Sequence, residues 1–315
     1  MAINKPTGKE VELQTERLRV ELAQKICQVT PEEGSFETAV PGLALYRRSE
    51  PTACVSASYV SSLIVFVQGE KRIQLGAQNL VCTSANYLLT SVDLPVVSQV
   101  VRASQEEPIL SLVMDLDMPL VREILSQEEF HVSGEQSAAR GMAVGRHTPE
   151  LLGACLRLLD LLKTPEEIPF LSSLIQREIL YRILRGPVGG NLRAIATLGE
   201  QSHRTARAVQ WLKDNYTKPL RVEELAEIAR MGVSTLHHHF RALTAMSPIQ
   251  YQKHLRLHTA RQRMLLDGLD AASAAFEVGY ESPSQFSREY SRFFGQPPLR
   301  DVKARRAVNE LPAQI

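Results

Sequence analysis

Two short segments concentrate the side chains that could do chemistry. Ser234, Thr235, His237, His238 and Arg241 form one, and Ser284, Gln285, Ser287, Arg288, Ser291 and Arg292 form the other. Hydroxyls, an amide, imidazoles and guanidinium groups on one helix face suit hydrogen bonding to base edges in a DNA major groove. A merely solvated face more often carries Glu and Lys. Catalysis is poorly supplied. Cys27, Cys54, Cys82 and Cys155 lie far apart without a C-x-x-C pair, which suggests neither a disulfide scaffold nor a zinc ribbon but free thiols. His237, His238 and His239 are consecutive, and successive helical residues point about 100° apart, so the three cannot converge on one ion. His237 and His238 read as base or phosphate contacts and His239 as packing. No Ser/His/Asp or Cys/His grouping is legible, so the expectation is no enzyme, no metal and no cofactor.

The elements that must position these residues repeat themselves at an offset of 50: Ser234 with Ser284, Leu236 with Phe286, Phe240 with Tyr290, Leu243 with Phe293, Pro248 with Pro298. Each copy reads as a short helix, a tight turn and a second helix, a helix-turn-helix. In the first copy Val222 to Arg230 opens with Glu223 and Glu224, and Gly232 is expected to allow the turn. In the second, Asp270 caps Ala271 to Val278, Gly279 breaks that helix, and Ser282-Pro283 starts the next. Taking Leu236 and Phe286 as buried centres turns Phe240, Leu243, Tyr290 and Phe293 inward and the two polar segments outward. Ser247-Pro248 opens a connecting helix to about Leu266. At about 1.5 Å per residue it spans roughly 28 Å, close to the ~34 Å between successive major-groove faces.

Charge follows the same division. Residues 203–306 hold 17 Lys and Arg against 10 acids, a net +7, and six of the eight histidines, while the rest of the chain carries −6. That is the signature of a polyanion-binding module beside one with another task. From Pro41 to Asp117 the chain reads as β-runs: Gly42–Arg47, Cys54–Tyr59, Leu63–Gln68, Arg72–Leu75, Asn79–Thr83, Tyr87–Ser91, Val96–Val101 and Ile109–Leu116, with Met142–Val144 closing the set. Gly69-Glu70 is a candidate hairpin turn. After Pro149 two helical stripes follow, Leu151 to Leu162 and Ile168 to Ile183. They could pack on each other and on the barrel, or against a second subunit. Gly186 to Gly190 reads as the clearest linker. No apolar run approaches the ~20 residues of a membrane span, and the first thirty residues lack a signal-peptide core, which together predict a cytoplasmic protein that contacts no membrane.

The residues Leu225-Ala226, Leu236, Phe240, Ser247-Pro248, Tyr251, Leu255-Arg256, Ala260, Val278-Gly279-Tyr280, Phe286-Ser287-Arg288, Phe294-Gly295, Pro298 and Arg300 closely resemble the AraC/XylS family of bacterial transcription regulators over about Val209 to Arg306. Val67-Gln68-Gly69 with Lys71-Arg72, and Thr90 to Pro95, resemble the cupin-like sensory domain of one branch of that family. The fold implied is α+β and multidomain: a cupin-like β-barrel over 1–148, a helical connector and linker over 149–190 that could dimerise, an all-α domain of two helix-turn-helix units joined by a long helix over 191–306, and a tail over 307–315. The function implied is sequence-specific binding of double-stranded promoter DNA in adjacent major grooves, under control of a small-molecule effector in the barrel. Other implied partners are a second copy as homodimer and, for an activator, RNA polymerase. The alternative is a DNA-binding regulator whose barrel only oligomerises.

The first helix-turn-helix departs from the family pattern: His238 stands where Arg is usual, Arg221 where a Ser or Thr cap is usual, and Arg230 at the usual turn glycine. A missing cap costs roughly 0.5–2 kcal/mol, so the first reading head is expected to be the weaker, with His238 contacting DNA best when protonated. A metal enzyme in the barrel would need several His and a carboxylate, and only His131 and His147 precede residue 200. Cys54 and Cys82 could sense electrophiles or oxidants, against the alternative of inert thiols.

Overall fold

The computed structural model describes residues 7–127, 140–197 and 199–307; His131 and positions 308–315 of the tail lie outside them. A first helix, α1 (Gly8–Val29), precedes β1 (Gly34–Glu37), β2 (Leu43–Arg48), β3 (Val55–Tyr59), β4 (Ser62–Gln68), β5 (Glu70–Leu75), β6 (Gln78–Thr83), β7 (Asn86–Thr90), β8 (Leu94–Arg102) and β9 (Ile109–Asp115). Next come α2 (Met118–Gln127) and β10 (Met142–Arg146). The strands form two antiparallel sheets, β1-β2-β9-β4-β7-β10 and β3-β8-β5-β6. The sequence strands all form, within a residue or two of their expected ends; α1, β1 and α2 were not anticipated.

β4 reads as an unbroken apolar run because both of its faces are covered. Leu63, Val65 and Val67 meet a helical layer, and Ile64 and Phe66 meet the second sheet. The layer consists of α1, α3 (Pro149–Asp160) and α4 (Ile168–Arg185), the last two joined by two short 3-10 turns. Its two stripes pack on each other, on α1 and on the larger sheet. Lys25 of α1 clasps Asp160 at 2.7 Å.

Two expectations about turns are corrected. Gly69 is not a hairpin turn, because β4 and β5 belong to different sheets. It marks a corner with φ +80°, where a Cβ would stand 2.6 Å from the Cβ of Ile109 and 2.8 Å from the Arg102 carbonyl oxygen. Gly186 to Gly190 is not a loose linker either. α4 ends at Arg185 and α5 (Gly189–Ala196) begins at buried Gly189, whose Cβ would lie 2.3 Å from the Leu184 carbonyl oxygen. The small residues there permit close approach, not freedom.

The remaining helices are α6 (Gln201–Asp214), α7 (Val222–Ala229), α8 (Val233–Thr244), α9 (Pro248–Leu266), α10 (Ala271–Glu277), α11 (Pro283–Phe294) and α12 (Pro298–Ala307). They do not share one core. Leu225, Leu236, Phe240, Leu243, Met246 and Tyr251 join the cluster inside the sheets, with Ile73, Leu75, Leu94 and Val96. Leu257, Met264, Ala274, Val278, Phe286 and Tyr290 form a cluster of their own.

Candidate nucleic-acid interface

α7 and α8 form the first fork, α10 and α11 the second, and their second helices occupy equivalent positions exactly fifty residues apart. Leu236, Phe240, Phe286 and Tyr290 are fully buried, as the faces required. Ser234, Thr235, His238, Arg241, Ser284, Gln285, Arg288 and Arg292 are exposed, while His237, Ser287 and Ser291 are half-buried. Two of these side chains are already engaged. The Ser291 hydroxyl donates to the Ser287 carbonyl oxygen at 2.7 Å, and Gln285 Nε2 donates to Glu289 Oε1 at 3.4 Å. Burial pushes the Glu289 carboxyl up, but hydrogen bonds from Tyr280, Lys253 and Gln285 outweigh it and hold the group below its usual range. His239 is half-buried as packing required, its ring edge-on to His238 at 5.2 Å. Burial and then the neighbouring His238 depress its pKa.

The two forks are not equally well made. In the second, Asp270 accepts from the backbone amides of Ala272 and Ser273, Ser282 accepts from Gln285, and the left-handed positions are held by Gly279 and Gly295. In the first, neither Arg221 nor Gly232 supplies a side-chain cap. Its left-handed positions fall on Arg230, φ 54°, and Ala245, φ 59°. Gly232 therefore does not make the turn: its φ is −69°, and Arg230 bears the strained conformation while its amide donates to the Glu227 carbonyl oxygen. Between the forks α9 starts on a capping box, Ser247 with Gln250, and ends at Leu266 as its sequence indicated.

The basic count of this region overstates its surface charge. Arg256 donates to the carbonyl oxygens of Tyr216, Thr217 and Lys218, Arg306 to that of Met264, and Arg261 is buried. These are braces.

A cavity of about 560 Å³ lies between the two sheets and is closed by α6, α9 and α12. Lys71 of β5 lines it, a residue that the sequence placed in the resemblance to the sensory domain but to which it gave no role at a site. The signal was present, since Lys71 shares the inward phase of Ile73 and Leu75 along β5. His147 is buried and held neutral, its pKa pushed down to about 4 by burial. Among the described residues no three His, Cys, Asp or Glu side chains come together as metal ligands would, and no helix is long and apolar enough to cross a membrane. Cys82 is buried, which pushes its thiol up to about 12, the opposite of what a reactive thiolate needs; Cys54 is exposed.

Residues 39–191 match the family model of the AraC-type transcriptional regulator N-terminus, and residues 225–304 match that of a helix-turn-helix domain. The HTH-type transcriptional activator RhaS of Yersinia pestis is 30% identical over 105 residues, 33% of this chain. The chain thus spans only 38% of the length of that curated relative. Among solved structures, ToxT from Vibrio cholerae aligns over 83% of this chain and 97% of its own, with a TM-score of 0.53 and 12% identity. ToxT with a bound unsaturated fatty acid aligns over 86% and 96%, with a TM-score of 0.53 and 10% identity. At such identities the likeness is one of fold.

Proposed function

Because the chain belongs to the AraC/XylS family, whose N-terminal and helix-turn-helix models it matches in order, we propose that it is a sequence-specific DNA-binding transcription regulator acting in the cytoplasm. It docks α8 and α11 in successive major grooves of promoter DNA, spaced by the 19 residues of α9. One observation carries this reading: two equivalent helices, fifty residues apart, each with a buried aromatic face and an outer face of hydroxyl, amide, imidazole and guanidinium groups. Ser234, Thr235, His237, His238 and Arg241 contact DNA from the first fork. Ser284, Gln285, Ser287, Arg288, Ser291 and Arg292 do so from the second. Footprinting on DNA flanking the gene tests the reading directly. Arg288→Ala should cost roughly 1–3 kcal/mol at the preferred site and relax its base preference, whereas an equal loss on every sequence reassigns Arg288 to phosphate.

The barrel makes this binding answer to a small molecule. In support, the cavity between the sheets has a volume typical of ligand sites and is walled by the barrel together with α6, α9 and α12, and a structural neighbour of this chain is solved with a fatty acid bound. A ligand acts by preferring one arrangement of barrel and forks over another. A homodimer would form through the helical layer, where α4 leaves Phe170 72% exposed beside exposed Leu174; RNA polymerase is a further partner if the protein activates.

A further inference from the structure

Lys71 is 4% exposed, yet among the described residues its ammonium meets no carboxylate and no hydrogen-bond acceptor. Its company is two ring faces, Tyr46 at 5.1 Å and Tyr59 at 5.4 Å to the centroids. A buried ammonium so placed is a poor structural element, since an apolar side chain of equal length would fill the space without the desolvation cost. Burial pushes its pKa down to about 8, which leaves it cationic at neutral pH.

The opposite wall of the same cavity comes from α9, with Lys213 of α6 and Arg305 of α12. Arg261 of α9, 3% exposed, donates through Nη2 to the Ser56 carbonyl oxygen at 2.5 Å and stacks on Phe294 at 4.1 Å. Its Nη1 has no partner. Three acids also line the cavity. Asp93 is paired with Lys213, while Glu37 and Asp115 sit on β1 and at the end of β9 and pair with neither Lys71 nor Arg261. Ala44, Ala57, Val113 and Leu255 supply apolar wall.

Resting on the ligand-control reading, we propose that this cavity holds a small organic anion, a carboxylate on a compact apolar body, anchored by Lys71 and reached by Arg261. The division of the core says what such a ligand does. The first fork shares its core with the sheets, whereas the second has a separate core, and Arg261 with Leu257 and Ala260 belongs to the helix that carries it. An anion bridging Lys71 and Arg261 therefore sets the angle of the second fork against a first fork already fixed to the barrel.

The test uses the full chain, isothermal calorimetry and four probes: sodium benzoate and sodium octanoate against benzamide and octanamide. The acids should bind and the amides should bind at least tenfold more weakly. Lys71→Met, with Lys71→Gln as a second variant should the first not fold, should weaken the acids at least tenfold and raise the melting temperature of the unliganded protein. In footprints the acid should change protection in the half-site read by α11 and leave that read by α8. Equal binding of acid and amide, undiminished binding to the Lys71 variants, or binding of none of the four would overturn the proposal. Acids that bind through Lys71 without altering the footprint would sink ligand control and leave the anion site standing. Amides that bind and alter the footprint would do the reverse.

Discussion

Arg230 and Arg221 show how one side chain can matter through the backbone alone. Arg230 adopts φ 54° and ψ 49°, a conformation that costs a residue bearing a Cβ roughly 1 kcal/mol and glycine almost nothing. Arg230→Gly should therefore stabilise the protein by about 1 kcal/mol in urea unfolding, although the same change at Arg241, inside α8, should destabilise by about as much. A loss at both positions would mean that the Arg230 side chain holds more than the turn. At the start of α7, Arg221→Asp adds the missing cap and should give a further ~0.5–2 kcal/mol. The absent cap was legible in the sequence, because a long cationic chain stood where a hydroxyl is expected. The left-handed Arg230 was only half legible: Gly232 offered itself as the turn residue, and only φ values tell which residue bends.

Most helices and strands with one dry and one wet face were legible, although α2, which buries Val121 and Ile124, was not. The alternation along β5 and the buried stripe of α11 leave little choice, and the caps Asp270, Ser282 and Ser247 mark helix starts to the residue. β1 was missed because Gly34, Ser35 and Glu37 carry no apolar period, and the partners of β4 because its neighbours in the sheet, β7 and β9, are distant in sequence. The joint between α9 and α11 was likewise invisible. There His254 and His258, one turn apart, press their rings on Phe293 at 4.4 and 5.4 Å. Burial, with Lys253 beside His254 and with Arg261, His254 and Arg305 around His258, holds both neutral: His254 falls to about 4 and His258 well below its usual value. The unfolded chain takes up these protons near pH 6.5 while the folded chain refuses them, so stability is lost as pH falls from about 6.5 towards 4. At pH 5 the loss should be about 1–2 kcal/mol for His254, and His258 acts in the same direction. His147 adds a similar loss in the barrel. His254→Phe combined with His258→Leu should flatten the difference in urea midpoint between pH 7 and pH 5 relative to the parent protein, in which the carboxylates titrate alike. An unchanged difference would mean that the joint admits protons and water.

At the scale of the whole molecule, the poorly capped fork is the one welded to the barrel. The Gly141 amide donates to the Leu243 carbonyl oxygen at 2.9 Å, the Tyr251 hydroxyl donates to the Asp93 carbonyl oxygen at 2.6 Å, and Gly76 approaches Ala245 so closely that a Cβ would lie 2.9 Å from its carbonyl oxygen. The barrel thus grips the end of α8 by its backbone, at the very residue that holds a strained φ without glycine. The second fork, with two side-chain caps and two glycines, needs no such support. Gly141→Val tests the dependence: its side chain would push within 2.7 Å of the Leu243 carbonyl oxygen and within 2.9 Å of Val92. In hydrogen exchange, amide protection across α7 and α8 should fall by at least tenfold, about 1.4 kcal/mol of local opening, while α10 and α11 keep theirs. Under the proposed docking, DNA binding should then weaken mainly at the half-site assigned to α8. Equal loss across both forks would show that they melt as one unit despite their separate cores. No loss in either would show that the first fork stands by its own packing, and that its missing caps and strained turns are offset within α7 and α8 rather than by the barrel.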